Sequence, residues 1–419
     1  MRRALLCAVL AAAIGPSSAG AQSLVLTESD ALARLSTNSP HVQALRAGVD
    51  VAKVDVLAAG RWPNPRVNWD RQSVAGVTEH LFTVSQVLPI TGRRDLEVQA
   101  ASASVAARSD RIDDEVRRLR ADLRLTFAEL QVAQVREREL TTARDHLREL
   151  ADVLVKREAA GDAAGFDRLR AEREVLDVEA DLVVATTERV RAQATLAAFF
   201  ENGTDASRIV AAPRSTSDAP VPPVEALIAQ AETRRGALLA LRKELDAATL
   251  FEQAAHRSLW PEPELFVGTK SSTASGGELG SAITIGGGDI GPVFGVHATI
   301  PLFDRAGPES ALAVARAAQA KAQVGALRLA LRGQITALRA AVVDRREGAE
   351  RYRTGAVNRS EDIERIARVS YDAGERGILE LLDAYRLGAS ARVRQAALDL
   401  GVRQAEIELE FATGWELPL

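Results

Sequence analysis

A single cysteine, Cys7, occurs in 419 residues. Beyond it, disulfides, thiolate-bound metals and cysteine nucleophiles are excluded. No stretch approaches the roughly 18 consecutive apolar residues that a transmembrane helix needs. There is no basic excess either: 53 Lys and Arg stand against 57 Asp and Glu, a formal charge of −4, so nucleic acid is not an expected partner. Five histidines, His41, His80, His146, His256 and His297, are scattered without ligand spacing such as H-x-x-x-H, and no Ser/His/Asp motif stands out. The residues therefore imply no metal, no cofactor and no catalytic group. Breakers are missing as well: from Arg93 to Ala160 there is neither glycine nor proline.

The first residues read as an export signal. Arg2 and Arg3 precede the apolar stretch Leu5–Ile14, and Ala19-Gly20-Ala21 supplies a small-residue cleavage site, so residues 1–21 match a secretory signal. About ten apolar residues cannot cross ~30 Å of hydrocarbon, which makes an N-terminal anchor the weaker reading. Cys7 comes too early for a lipoprotein box. Without Arg2 and Arg3 the formal charge is near −6. Such a chain is periplasmic, secreted, or a contributor of strands to an outer-membrane barrel, and composition does not separate the three.

Most of the remainder is Ala, Leu, Arg, Glu and Val at helical spacing. Ile112, Val116, Leu119, Leu123 and Leu130 take 4-3-4-7 steps, and Leu140, Leu147, Leu150 and Leu154 resume them. These heptad-like steps keep one seam against a neighbouring helix. The pattern predicts long helices over 92–158 and 303–371, and shorter ones over 27–61, 166–202, 221–259 and 378–414. A helix over 92–158 would be roughly 100 Å long. Four stretches alternate with period two instead, at 66–74, 78–88, 264–270 and 293–300. Strands of about ten alternating residues suit a membrane barrel with a lipid face and a polar lumen, and also suit a small soluble sheet. The Gly-rich run between 276 and 291 lacks the Lys-Ser/Thr of a phosphate loop and reads as a strand connection.

An internal repeat organises these elements. Trp62-Pro63-Asn64-Pro65 matches Trp260-Pro261-Glu262-Pro263 at an offset of 198, and Leu88-Pro89-Ile90 matches Ile300-Pro301-Leu302 at 212. Glu158-Ala-Ala-Gly161 matches Tyr371-Asp-Ala-Gly374 at 213, and Phe199 matches Phe411 at 212. The expected organisation is a first repeat over 22–203, a linker over 204–220 and a second repeat over 221–419. Trp-Pro-x-Pro stops the incoming helix because the residue before proline disfavours helical angles. Pro89 and Pro301 end strands because proline cannot donate to a ladder. Trp62 and Trp260 sit where an interfacial aromatic belt would lie, or where a domain junction packs.

At this point the chain resembles the TolC family, the outer-membrane channels of tripartite efflux and type I secretion systems. The resemblance is carried by W-P-N-P, Q86-V-L-P-I-T-G-R-R94, A298-T-I-P-L-F-D-R305, Y371-D-A-G-E-R-G-I-L-E-L-L-D-A384 and L409-E-F-A-T-G414. It implies a mainly α protein with a transmembrane β-barrel portion, in which each protomer of a homotrimer gives four strands to one twelve-stranded barrel and its helices to a coiled-coil α-barrel. It implies a place in the outer membrane, in contact with its lipid and with a long periplasmic extension. Its partners would be a periplasmic adaptor (membrane fusion) protein and an inner-membrane pump of RND, ABC or MFS type. The helix hairpins 158–167 and 371–380, with Gly161, Gly374 and Gly377 in their turns, would form the periplasmic tip. Glu380 and Asp383, spaced i, i+3 on one helix face, match an acidic constriction, although the first carboxylate is Glu here and more often Asp in the family. Tyr371 and Arg376 match residues that hold the closed state, pairing with Asp167 of a neighbouring hairpin. All five also suit solvated surface or turn positions. Two rival functions stay open: a periplasmic coiled-coil adaptor without a membrane barrel, against which the duplicated hairpin argues, and an exported enzyme.

Overall fold

The computed structural model describes residues 23–35, 39–74, 76–160, 165–200, 203–213, 219–274, 289–299, 303 and 307–415. The expected signal over 1–21, Gly161, Pro301 and most of the Gly-rich run lie outside the described residues. In chain order come β1 (Leu24–Leu26), α1 (Glu28–Arg34), α2 (Pro40–Ala59), β2 (Arg66–Val74), β3 (Val77–Val87), α3 (Arg93–Ala159) and α4 (Gly165–Ala197). There follow β4 (Ile209–Ala211), α5 (Val224–Arg234), α6 (Gly236–Arg257), β5 (Glu264–Ala274), β6 (Asp289–His297) and α7 (Gly307–Tyr352). A π turn at Arg353–Val357 leads into α8 (Asn358–Asp372), and α9 (Ile378–Thr413) closes the order. Among the described residues no helix is long and apolar enough to cross a membrane. The chain forms two compact units, one of residues 1–35, 123–216 and 351–400, the other of 36–122, 217–350 and 401–419. Each unit takes segments from both halves of the sequence repeat.

In the first unit, α3, α4, α8 and α9 share an apolar core that includes Leu147, Leu150, Leu154, Val175, Ile378, Leu381 and Tyr385. Leucines expected on the α3 seam are therefore core residues. The same unit holds a feature the sequence reading placed in a linker. β4 lies within 204–220 and pairs in parallel with β1, Val25 opposite Val210. Its outer edge is closed by side-chain amides. Gln193 of α4, itself buried, donates to the Ile209 carbonyl at 2.7 Å. The Ala211 N–H donates to Gln134 of α3 at 3.1 Å, and Gln131 donates to the Ala212 carbonyl. Glutamines thus stand in for a third strand and satisfy backbone groups that burial would otherwise leave orphaned. α1 is held by a Thr27 capping box and by Arg124 of α3 on Glu28 at 2.5 Å.

The second unit carries an antiparallel sheet in the order β2-β3-β5-β6, with the last strand starting and ending earlier than the alternation suggested. Pro63 and Pro261 lie just before β2 and β5, and Pro89 just after β3. Leu227, Leu238, Ile335, Val342 and Leu409 form the helical core of this unit. Two segments read as single helices are broken. Residues 27–61 divide before Pro40, where Ser39 is extended, as the residue before a proline prefers. Residues 221–259 divide at Arg235, which is extended. Its guanidinium donates to the Phe411 carbonyl at 2.6 Å and lies over the Phe411 ring at 3.8 Å. Burial pulls the Arg235 pKa down, against the Asp114 carboxylate 3.5 Å away.

The helix expected over 303–371 begins at Gly307 and is interrupted by the π turn. The burial pattern explains the interruption. Ile112, Leu123 and Leu130 of α3 match Val324, Ile335 and Val342 of α7, all buried and all at an offset of 212. Leu154 matches buried Ala367 of α8, now at 213. The second half has gained one residue, and the wider i→i+5 turn between α7 and α8 houses it.

The glutamine edge gives a first test. Gln193→Leu leaves the buried Ile209 carbonyl without its donor, a loss of about 1–3 kcal/mol. Amide exchange at Ile209–Ala211 should accelerate by roughly tenfold or more, while β2–β6 exchange stays as in the parent; unchanged β4 exchange would show that the amides do not secure the edge.

Candidate functional site

The register of the sheet sorts its side chains onto two unlike faces. Successive residues of a strand alternate sides, so residues paired across a ladder share one. Val67, Val84, Val267 and Phe294 form one continuous row across all four strands, and Trp69, Phe82, Thr269 and Pro292 the next. The opposite face carries Arg66, Asn68, Asp70, Glu79, Glu264 and Lys270. Polar groups there pair with one another: Lys270 meets Glu79 at 2.9 Å, and Ser85 donates to Glu264 at 2.6 Å. The apolar face is the more exposed, with Phe294 at 80% and Val67 at 66% of full exposure. In water that face would be costly; against hydrocarbon it is matched.

Below the apolar rows stand Trp62 and Trp260, both exposed. The Arg94 guanidinium lies 5.4 Å from the Trp62 ring. The two Trp-Pro-x-Pro copies meet the end of β3, since the Leu88 N–H donates to the Pro263 carbonyl at 2.8 Å and Gln86 to the Pro63 carbonyl at 2.9 Å.

The hairpin joining α8 to α9 has a defined stop. Gly374 adopts φ +76. The Glu375 N–H donates to the Ser370 carbonyl at 2.9 Å and the Gly374 N–H to the Tyr371 carbonyl at 3.0 Å. That is the Schellman arrangement, in which a left-handed glycine lets the last carbonyls of a helix find partners. Gly377 needs no such conformation; its missing Cβ leaves room for the Glu380 carboxylate, which would lie 3.2 Å from a methyl there. Glu380 is thus a first-turn acid of α9, favourably placed at the positive end of the helix. Asp167 holds the same place in α4, at the repeat offset of 213. Glu380 and Asp383 are exposed, while Ile378, Leu381 and Leu382 between and beside them are buried.

Tyr371 is buried, and its partner within the chain is Arg157 of α3. The guanidinium donates to the phenol oxygen at 3.3 Å and lies 5.3 Å from the ring centre. Among the described residues Asp167 and Arg376 form no ion pair, with each other or otherwise. The first hairpin is held instead by Arg168, on Glu158 at 2.5 Å and on Glu172 at 2.7 Å. The sequence reading missed Arg157 and also a second linkage. Arg392 of α9 reaches Glu139 of α3 at 2.7 Å and Glu364 of α8 at 3.1 Å. Burial disfavours the Arg392 charge, but the two carboxylates outweigh that and raise its pKa. Gly388 makes the linkage possible, because a Cβ there would sit 1.3 Å from Glu364 Oε1. A glycine inside a helical run was the available signal. Tyr385 packs on His146, ring centres 5.1 Å apart, and burial pushes its phenol pKa up.

Residues 227–415 match the family model of the outer membrane efflux protein. The chain is 24% identical over 372 residues to the cobalt-zinc-cadmium resistance protein CzcC of Cupriavidus metallidurans, covering 88% of this chain and 85% of that one. Its fold is similar to the crystal structure of a membrane protein from Pseudomonas aeruginosa, with a TM-score of 0.74, 20% identity, and coverage of 92% and 93%. The Campylobacter jejuni CmeC outer membrane channel gives 0.73 at 12% identity, covering 92% and 85%. These likenesses show the fold, mainly α with a barrel portion; the matched family model and the Campylobacter channel are of the outer membrane. The family works in tripartite efflux with an adaptor and an inner-membrane pump. The adaptor reading is not favoured.

The hairpin geometry gives a second test. Gly374→Ala places a Cβ in the left-handed region at a cost of about 1–2 kcal/mol, and should speed proteolysis between 372 and 378. Gly377→Ala, which only nudges Glu380, should leave the rate near the parent's. Equal rates in the two variants would remove the Schellman stop as the reason for the glycine.

Proposed function

We propose that three copies of this chain close one outer-membrane barrel and form a conduit gated at its periplasmic end. The observation that carries this reading is the four-stranded sheet, apolar on one face and polar on the other, with β2 and β6 as open edges. Unpaired strand edges are not tolerated in lipid, and four strands cannot close alone. Two repeats, 22–203 and 221–419 joined through 204–220, would supply two strands each. Glu380 and Asp383 of three chains would make two carboxylate rings, which favour cations at a constriction. Arg376 and Tyr371 would latch the closed state against Asp167 of a neighbouring chain, with Arg157 holding the Tyr371 ring in place. A periplasmic adaptor and a pump of RND, ABC or MFS type would complete the path. Transport, without chemical conversion, is the work proposed.

Arg376→Ser should raise single-channel conductance and sensitise cells to large solutes. Permeability equal to the parent's, with the trimer intact, would remove the latch assignment.

The cargo is open to a second reading, favoured by the likeness to a protein named for cobalt, zinc and cadmium resistance. We propose divalent transition-metal ions as the exported class, in keeping with the exposed carboxylates of α9. Deleting the chain should lower the growth-inhibiting concentration of zinc, cobalt and cadmium severalfold and leave that of hydrophobic dyes unchanged. The opposite pattern would reassign the cargo to drugs while leaving the conduit reading intact.

A further inference from the structure

The apolar face of the sheet carries one feature that a plain hydrocarbon-facing wall does not require. Toward the end of the sheet away from the Trp-Pro-x-Pro segments, Arg71 of β2 stands opposite His80 of β3. Both share the face of Val67, Trp69 and Phe82. His80 stacks on Trp69 with ring centres 6.0 Å apart and planes 13° from parallel. The acids of these strands, Asp70, Glu79, Glu264 and Asp289, all fall on the opposite face. The other cations fall there too and have partners, Lys270 on Glu79 and Arg66 near Glu264 at 3.9 Å. Arg71 is exposed and forms no ion pair among the described residues.

Depth along the sheet decides what such a cation meets. Arg71 lies nine positions past Trp62, and at ~3.4 Å per residue and a tilt of about 40° those nine steps rise at most roughly 23 Å, close to the height of a barrel's apolar band. If the Trp62 and Trp260 level marks the periplasmic interface, Arg71 lies at the outer one. Arginine is costly at the bilayer midplane and nearly neutral at its surface, where the anions are lipid headgroup phosphates. Its planar fork of N–H donors suits two phosphate oxygens at once. The imidazole adds a further N–H, and Trp69 is the kind of ring that anchors at an interface.

We propose that Arg71 and His80, braced by Trp69, bind a phosphate of an outer-leaflet lipid headgroup, with the lipid's acyl chains along the apolar rows beneath. The inference rests on the sheet lying in the outer membrane.

The test uses the full-length assembled protein in phosphatidylcholine nanodiscs doped with lipid A, with retained lipid A counted by native mass spectrometry. The parent should hold lipid A through delipidating detergent. Arg71→Gln combined with His80→Gln should lower retention about tenfold, in line with losing a charge-assisted pair of hydrogen bonds. Arg71→Lys should restore part of it, and Arg66→Gln, on the other face of the same strand, should change nothing. Equal retention by the parent and the double variant would overturn the site. So would an equal loss in Arg66→Gln, which would show only a general charge effect. A β signal in circular dichroism matching the parent's confirms that the variants are folded. A parent that fails to float with phosphatidylcholine vesicles would overturn the membrane placement itself, and is read before any lipid A is added.

Discussion

The structure depends on two rows of backbone groups that, among the described residues, have no neighbouring strand. β2 and β6 border a sheet of four strands, and each presents an edge of N–H and C=O groups to whatever lies beside it. Water can satisfy such an edge; hydrocarbon cannot. One face of the same sheet is apolar across every strand; where lipid lies beside that face, the edges must be joined to other strands. The match of residues 227–415 to the outer membrane efflux model and the two-faced sheet thus point to the same demand.

Elsewhere the chain meets many of its polar obligations internally, with side chains of neighbouring elements or with its own backbone. Glutamines of α3 and α4 close the β4 edge. Ser370 gives its carbonyl to two N–H groups of the hairpin. Arg392 ties α9 to both α3 and α8, and Gly388 clears the way for it. A linkage of this kind is strong while both carboxylates are present and weak once one is lost, because the remaining charge is left in a half-buried place. It is a restraint on the helices around the hairpin distinct from the proposed latch residues.

Much of this was legible in the residues. Long breaker-free runs gave the helices, alternation gave the four strands, and the Trp-Pro-x-Pro copies bounded them, because each signal repeats one local preference many times. What escaped was short or cooperative. β1 and β4 have three residues each, too few to alternate visibly. The break at Pro40 had a local cause that the apolar spacing masked, whereas the break at Arg235 comes from contacts with Asp114 and Phe411, distant in sequence. The same limit applies at the candidate gate. Glu380 and Asp383 could be placed on one helix face from their spacing, but the Arg157 partner of Tyr371 lies 214 positions away and follows from no motif.

The π turn carries one last implication. A residue inserted into an uninterrupted helix rotates everything downstream by about 100°, so the side chains of α8 that now face α9 would have swung toward solvent. Confining the insertion to Arg353–Val357 spares that phase. Ala367 stays buried like Leu154, its counterpart in the other half. Two copies of an ancestral unit can therefore differ in length and still bury matching helix faces.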